Sequence, residues 1–369
     1  MSVHEAAASH LRALAAEPRP AGSSAAAAAR RYCQEVLGAL GFQVRERPFA
    51  YSAFVGELGT PLGGALALGG VVLAALAGER GHDVAALAVL VATLLLLVGG
   101  GRWLARRGVL ALPIRRREGV NLEAVRAAGE PRLWLLAHID SKSQPVPLLA
   151  RAAGIVVLGA AWLAALLLAA SRLAGGRDSA GPAWRWVVAG AVTGALPVLF
   201  SVVGRRSPGA IDDASGVATV LAAASLLPPQ TPVGVLITDA EELGLAGSRA
   251  WCADRGKAGT ALNCDGVDDL GRLTLMWTRP RSPRLERAVR TAASSVESLR
   301  IIPLIPGVLV DGVALADAGW EVLTVSRGSL GTLARIHTAR DTVDRLHGGG
   351  VAIAARVLAA AAVTLTESA

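Results

Sequence analysis

The sequence predicts an α/β fold: a mostly parallel mixed sheet covered by helices on both faces, with two transmembrane helical hairpins inserted into its loops. Three observations carry that expectation. Short, near-continuous apolar runs alternate with helical stretches through the second half of the chain, the pattern of strands buried on both faces. Four longer apolar segments interrupt the chain before residue 205, and at about 1.5 Å per helical residue each is long enough to cross the roughly 30 Å hydrocarbon core of a bilayer. The composition agrees: of 369 residues 53% are hydrophobic and 18% charged, and the mean hydropathy is +0.47, too apolar for a chain surrounded by water alone.

The elements follow in order. Residues 3–16 and 23–41 read as helices, the second with Ser23 or Ser24 as its cap and Gly41 as its stop. FQVRERPFAY then alternates as a strand. The apolar segments are Pro61–Gly78, Val84–Ala105, Ala152–Ser171 and Trp186–Gly204, paired into hairpins by ERGHD (79–83) and RLAGGRDSAGPAWR (172–185). An even number of crossings returns the chain to the side it left. The expected division is an α/β domain built from residues 1–60, 106–147 and 205–369, with hairpins at 61–105 and 148–204. Further strands are expected at 132–140, 233–240, 260–265 and 321–328. Helices are expected at 215–227, near 245–255, near 283–296 and at 348–366. Trp103, Trp184 and Trp186 suit interfacial anchors, and His4, His10, His82 and His347 read as surface residues.

The formal charge of +8 and pI near 10.5 do not point to nucleic acid, because the arginines crowd beside the apolar runs and few aromatics remain to stack bases. Arg102, Arg106, Arg107, Arg115, Arg116, Arg117, Lys142, Arg151, Arg205 and Arg206 flank the α/β side of the segments. Only Arg80, Arg172, Arg177 and Arg185 flank the other. The positive-inside tendency therefore predicts a multi-pass membrane protein with its α/β domain on the cytoplasmic side. The first twenty residues lack the continuous apolar run of a signal peptide. Cys33, Cys252 and Cys264 form no spaced framework, which argues against a disulfide scaffold and a cysteine-ligated metal.

In sheets of this kind ligands collect beyond the carboxyl ends of the strands, and polar residues gather there. His138 ends the first of the late strands, Glu241 and Glu242 the next, and Asp265 the third. Asp212 stands at a helix start in GAIDDASGVA, and His337 in a late loop. Singly, each has an ordinary reading: Asp212 or Asp213 as a helix cap, the glutamates as carboxylates near a helix's positive end, His138 as a core histidine, Asp265 as a turn residue, His337 as a solvated loop residue. Together, two imidazoles and several carboxylates make an N/O set suited to zinc, with adjacent glutamates able to divide ligand and base duties.

The order HID (138–140), GAIDDASGVA (209–218), TDAEELGLAGSRAW (238–251), LNCDGVD (262–268) and IHTARDTVDRL (336–346) resembles the zinc-dependent exopeptidases of the leucine aminopeptidase, aminopeptidase Y and glutamate carboxypeptidase type. The resemblance implies the di-zinc aminopeptidase fold, two zinc ions bridged by Asp212, and a peptide or aminoacyl substrate. It pairs His138 with Asp265 on one ion and His337 with Glu242 on the other, makes Glu241 the general base, and has Asp140 orient His138. It also implies hydrolysis of a terminal peptide bond by a metal-activated water.

Two departures stand out. The family's S-D-H block and nearby tyrosine are missing from PGVLVDGVALADAG, which keeps Asp311, and the chain's tyrosines are Tyr32 and Tyr51 alone. A lost oxyanion donor leaves room for a catalytically weak or inactive membrane-anchored scaffold, or for a related cyclase or amidohydrolase. In addition, a whole hairpin separates Asp140 from Asp212. Because it departs just after Gln144, the catalytic mouth is expected near the bilayer surface. The sequence leaves the oligomeric state open.

Overall fold

Eight strands form one sheet in the computed structural model, which describes residues 2–126, 130–175, 180–305 and 307–367. They are β1 (Gln43–Ser52), β2 (Arg116–Val125), β3 (Leu133–His138), β4 (Val233–Thr238), β5 (Thr260–Val267), β6 (Arg272–Trp277), β7 (Leu299–Pro303) and β8 (Glu321–Gly328). Their order is β1-β2-β4-β3-β5-β8-β6-β7. The centre, β4-β3-β5-β8, is parallel, β2 joins β4 antiparallel, and β6 joins β8 antiparallel. The sheet is thus mixed, with its parallel strands in the middle.

Side-chain alternation shows why those central strands read as continuous apolar runs. Leu133, Leu135 and Ala137 of β3 enter one apolar cluster, whereas Trp134 and Leu136 enter another on the opposite face. The first face is covered by helices Val3–Leu14, Ser24–Ala39, Ser215–Leu226, Pro283–Ala292 and Gly349–Glu367, and the second by Ala246–Arg255 and Asp311–Asp317. Ser2 forms a capping box with Glu5, and Ser23 rather than Ser24 caps the second helix. His10, expected on the surface, is instead buried with its Nδ1 2.7 Å from the Tyr32 hydroxyl. Sequence reading missed β2, β6 and β7, which lie outside the parallel centre of the sheet, and the short helix Asp311–Asp317 on its second face.

The chain divides into two compact units: Met1–Ala53, Leu110–Ser143 and Arg205–Ala369 form one, and Phe54–Val109 with Gln144–Gly204 the other. The second unit holds the helices Phe54–Glu79, Leu148–Leu173 and Ala180–Leu199 and most of Asp83–Ala111. Its core is built of small residues, among them Ala74, Ala86, Ala165, Ala169, Ala191 and Ala195. Its outward face is greasy, with Leu73, Leu95, Leu96, Val156, Leu167 and Trp186 exposed. Trp184 is no interfacial anchor: it is fully buried, its ring lying where a Cβ on Gly78 would stand.

Four helices among the described residues are long and apolar enough to cross a membrane, and they differ by one from those expected. Phe54–Glu79, Asp83–Ala111 and Leu148–Leu173 match. The fourth is Gly349–Glu367, whose Ala354, Ala355, Leu358, Ala361 and Ala362 are fully buried in the core of the first unit. The expected fourth segment forms Ala180–Leu199, where Arg185 and two flanking tryptophans shorten the apolar run, and it ends at Leu199 rather than Gly204.

Candidate metal centre

The first unit brings its polar motifs to one end of the parallel strands. His138 closes β3 beside Thr238, the last residue of β4. Past Thr238 the chain turns through Ala240, whose φ of 57° is costly for a residue with a Cβ, into the single turn Glu241–Leu243. Asp265 lies in β5 where the register with β8 shifts between Cys264 and Val267. Asp212 and Asp213, joined by a cis peptide, precede helix Ser215–Leu226. His337 follows β8 with φ 61°.

Asp212 is the hub. Its Oδ1 lies 3.1 Å from His138 Nε2 and its Oδ2 2.8 Å from His337 Nε2. His337 Nε2 also lies 3.3 Å from Glu242 Oε1. Two trios of donor atoms result, His138–Asp212–Asp265 and Asp212–Glu242–His337, each with its atoms within 4.8 Å of one another. Glu241 Oε2 stands 3.9 Å from His138 Nε2. The chemistry of the set fits a pair of divalent cations: one imidazole and one private carboxylate for each, with a shared aspartate between. Two buried atoms in the second trio's residues, Glu242 Oε1 and His337 Nδ1, have no hydrogen-bond partner among the described residues, and the former faces the space a cation would fill.

The two neighbouring aspartates divide the alternatives left by the sequence. Asp213 Oδ1 accepts the N–H groups of Gly216 and Gly266, each at 3.0 Å, and Oδ2 that of His138 at 3.2 Å. It therefore caps the helix and ties three segments together, freeing Asp212 to face the histidines. Asp140 lies against the His138 ring and also braces the neighbouring turn. The His138 Nδ1–H donates to the Asp140 backbone carbonyl at 3.0 Å, whereas the carboxylate stands 3.5 Å away. That carboxylate accepts the N–H groups of Glu241 at 3.0 Å and Glu242 at 3.2 Å. It fixes the glutamate turn, and the backbone beside it fixes the imidazole.

The local field follows from this crowding. Burial alone would raise Asp212, but its hydrogen bonds to His138 and His337 hold it well below the ordinary carboxylate range. Burial lifts Asp265 to about 7 against the pull of His138. Glu241 is pushed well above its ordinary value by burial and then, against His138, by Glu242, Asp265 and Asp311. Glu242 is pushed up by burial but brought down by Lys142 and His337.

Three further residues build the site without having been singled out in the sequence. Asp341 accepts the N–H of Ile211 at 2.7 Å and of Asp212 at 3.1 Å, so the aspartate of HTARDT holds the GAIDD loop. Buried Arg19 binds the carbonyls of Leu14, Ile139, Pro208 and Gly209, joining the HID and GAIDD loops. Lys142, expected among the bilayer-flanking charges, is largely buried with Nζ 2.5 Å from Glu242 Oε2. Only Asp341 lay inside a recognisable motif. The other two act on partners far away in the chain.

The sequence profile of peptidase family M28 matches residues 188–362. The match spans just under half of the chain. The matched stretch contains four of the five motif blocks and stops short of HID (138–140), which the second hairpin separates from them. No curated protein matches the chain. Among solved structures, an aminopeptidase from Aneurinibacillus sp. strain AM-1 is similar over 98% of this chain and 93% of its own, with a TM-score of 0.59 and 16% identity. A zinc aminopeptidase from Bacillus subtilis is similar over 97% and 94%, with a TM-score of 0.56 and 15% identity. A glutaminyl cyclase from Fimbriiglobus ruber is similar over 97% and 94%, with a TM-score of 0.53 and 14% identity. At such identities the shared feature is the zinc aminopeptidase fold alone.

Proposed function

We propose that the chain is a membrane-embedded zinc metallopeptidase that hydrolyses a terminal peptide bond, as an aminopeptidase does, with two zinc ions sharing Asp212. The observation that carries this reading is that the two oxygens of Asp212 face two different histidines, each with its own carboxylate partner. Bound zinc supplies the polarisation of a scissile carbonyl and the acidification of a water. Glu241 is the group placed to take a proton: it is buried, belongs to neither trio, and has a raised proton affinity. Asp140 holds its backbone in place through the bond at 3.0 Å. The proton held on Glu241 then passes to the leaving amine of a peptide or aminoacyl substrate.

The greasy outer face of the second unit supports a bilayer as its surroundings, crossed by Phe54–Glu79, Asp83–Ala111, Leu148–Leu173 and the shorter Ala180–Leu199. The arginine distribution favours the cytoplasm for the α/β unit. Replacing Glu241 by Gln tests the reading. Peptide hydrolysis by the full chain in detergent is expected to fall by about 10²–10⁴ while two zinc ions per chain remain bound. Undiminished turnover would remove Glu241 from its role.

A second reading, a metal-binding scaffold without turnover, is favoured by one observation. Tyr32 is engaged with His10, Tyr51 lies on the edge strand β1, and Asp311 accepts the Thr238 hydroxyl. Turnover of any peptide or aminoacyl compound in a broad screen excludes it, and product analysis separates hydrolysis from cyclisation.

A further inference from the structure

We infer that Lys142 makes the two metal positions unequal: its ammonium holds one oxygen of Glu242, so the Asp212–Glu242–His337 position binds a divalent cation more weakly than the His138–Asp212–Asp265 position. The inference deepens the two-ion reading proposed above and rests on it.

The geometry is specific to this lysine. Its Nζ lies 2.5 Å from Glu242 Oε2, while the other oxygen, Oε1, faces His337 Nε2 at 3.3 Å. Glu242 is thereby restricted to one free oxygen and cannot embrace a cation with both. The segment carrying the lysine is pinned on either side. Ser141 Oγ accepts the Arg19 N–H at 3.0 Å and donates to the Ser207 carbonyl at 2.9 Å, and Ser143 Oγ accepts the Arg206 N–H at 2.9 Å. With both flanking serines anchored, Lys142 is presented to Glu242 rather than left to roam in solvent.

The surroundings of the two positions differ in charge. Among the described residues the charged groups nearest the His138 ring are carboxylates: Asp140, Asp213 at 4.0 Å and Glu241 at 3.9 Å, besides its trio partners Asp212 and Asp265. Arg19, the buried cation nearby, spends its donors on backbone carbonyls. At the second position a fixed positive charge touches a ligand directly. An ion there must share Glu242 with an ammonium of like sign, in a site largely shielded from water where such repulsion is poorly screened. Changes to groups that hold a ligand commonly alter metal affinity by about 10–100-fold. Here the loss falls on one position of the pair.

The test is zinc titration of the chelator-treated full chain in detergent by calorimetry, for the wild type and for Lys142→Met, Lys142→Gln and Lys142→Arg. The wild type is expected to bind zinc in two steps separated by about tenfold or more. Lys142→Met and Lys142→Gln should tighten the second step by about tenfold and leave the first unchanged, whereas Lys142→Arg, which keeps the charge, should retain the gap. A second step that stays put or weakens in both neutral variants overturns the inference and leaves the two-ion reading standing. Failure of wild type and neutral variants alike to take up a second ion overturns both. One ion in the wild type with two in Lys142→Met is the inference in its strongest form.

Discussion

Replacing Asp140 by Asn separates two roles that a carboxylate beside a metal-binding histidine can play. Asp140 receives the Glu241 and Glu242 N–H groups on separate oxygens, at 3.0 and 3.2 Å. Asparagine keeps one acceptor and turns the other into an NH₂ facing an N–H, in a residue with no exposure. One hydrogen bond to a charged group is lost and the other becomes neutral, a cost of about 1.5–3 kcal/mol. At roughly 2–4 °C per kcal/mol for a domain of this size, the midpoint of thermal unfolding should fall by about 3–12 °C. The His138 ring should keep its tautomer, because its Nδ1–H donates to the Asp140 carbonyl, which the substitution leaves in place. Zinc affinity should therefore fall by only about tenfold, the low end for groups that orient a ligand. The assay is thermal unfolding of the chelator-treated full chain in detergent, with zinc binding measured separately. A midpoint lowered by less than about 1 °C, far below the range derived from the lost bond, together with a hundredfold loss of zinc affinity, would refute the reasoning. The carboxylate would then act on the imidazole and not on the turn.

Two further outcomes follow from residues outside the site. Burial depresses the His10 imidazole below its ordinary value near 6.5, so the folded form resists a proton that the unfolded chain accepts. Its contribution is complete above about pH 6.5 and is lost as the pH falls from there toward the folded value. The difference in unfolding midpoint between wild type and His10→Asn should accordingly narrow between about pH 7.5 and 5.5, and a difference independent of pH would contradict it. In the second unit, a Cβ on Gly194 would meet the Leu158 backbone N at 2.4 Å, whereas Gly159 has nothing within 4 Å. Gly194→Leu should destabilise the detergent-solubilised chain by about 1–3 kcal/mol through overpacking, with Gly159→Leu close to neutral, both read from thermal aggregation. Equal behaviour of the two would show that the helices do not pack closely there.

The site was more legible than its supports, for a physical reason. His138, Glu241, Glu242 and Asp265 stand at or just past the ends of parallel strands, and strands of this kind announce themselves as apolar runs. The polar residue that ends each run then names a position in space. Arg19 and Lys142 carry no such mark. They bind backbone atoms or carboxylates from remote segments, so their value exists only after the chain has folded. The second role of the Asp140 carboxylate is hidden for the same reason, since the N–H groups it accepts lie about a hundred residues away at Glu241 and Glu242. Hydropathy likewise cannot distinguish lipid from protein as the apolar surroundings of a helix. Gly349–Glu367 is apolar enough to cross a bilayer and is buried in the core, while Ala180–Leu199 belongs to the apolar bundle despite Arg185.

The two insertions become intelligible at their points of departure from the α/β unit. Before the first, Ser52 pairs with Arg116 as the last rung between β1 and β2, and the Ala53 N–H donates to the Arg115 carbonyl at 3.1 Å. Before the second, Ser143 Oγ accepts the Arg206 N–H at 2.9 Å, and Ser141 reaches across to Ser207. Each long excursion therefore leaves and re-enters through neighbouring residues that are already hydrogen-bonded to one another. Loop-closure cost grows only slowly with length once the ends are held, so neither excursion disturbs the register of the strands. The second stitch also lies within the segment that fixes Lys142 and Asp140. A chain that interrupts HID and GAIDD with a whole hairpin keeps His138 and Asp212 within 3.1 Å while Arg19, Ser141 and Ser143 fasten the two ends to one another.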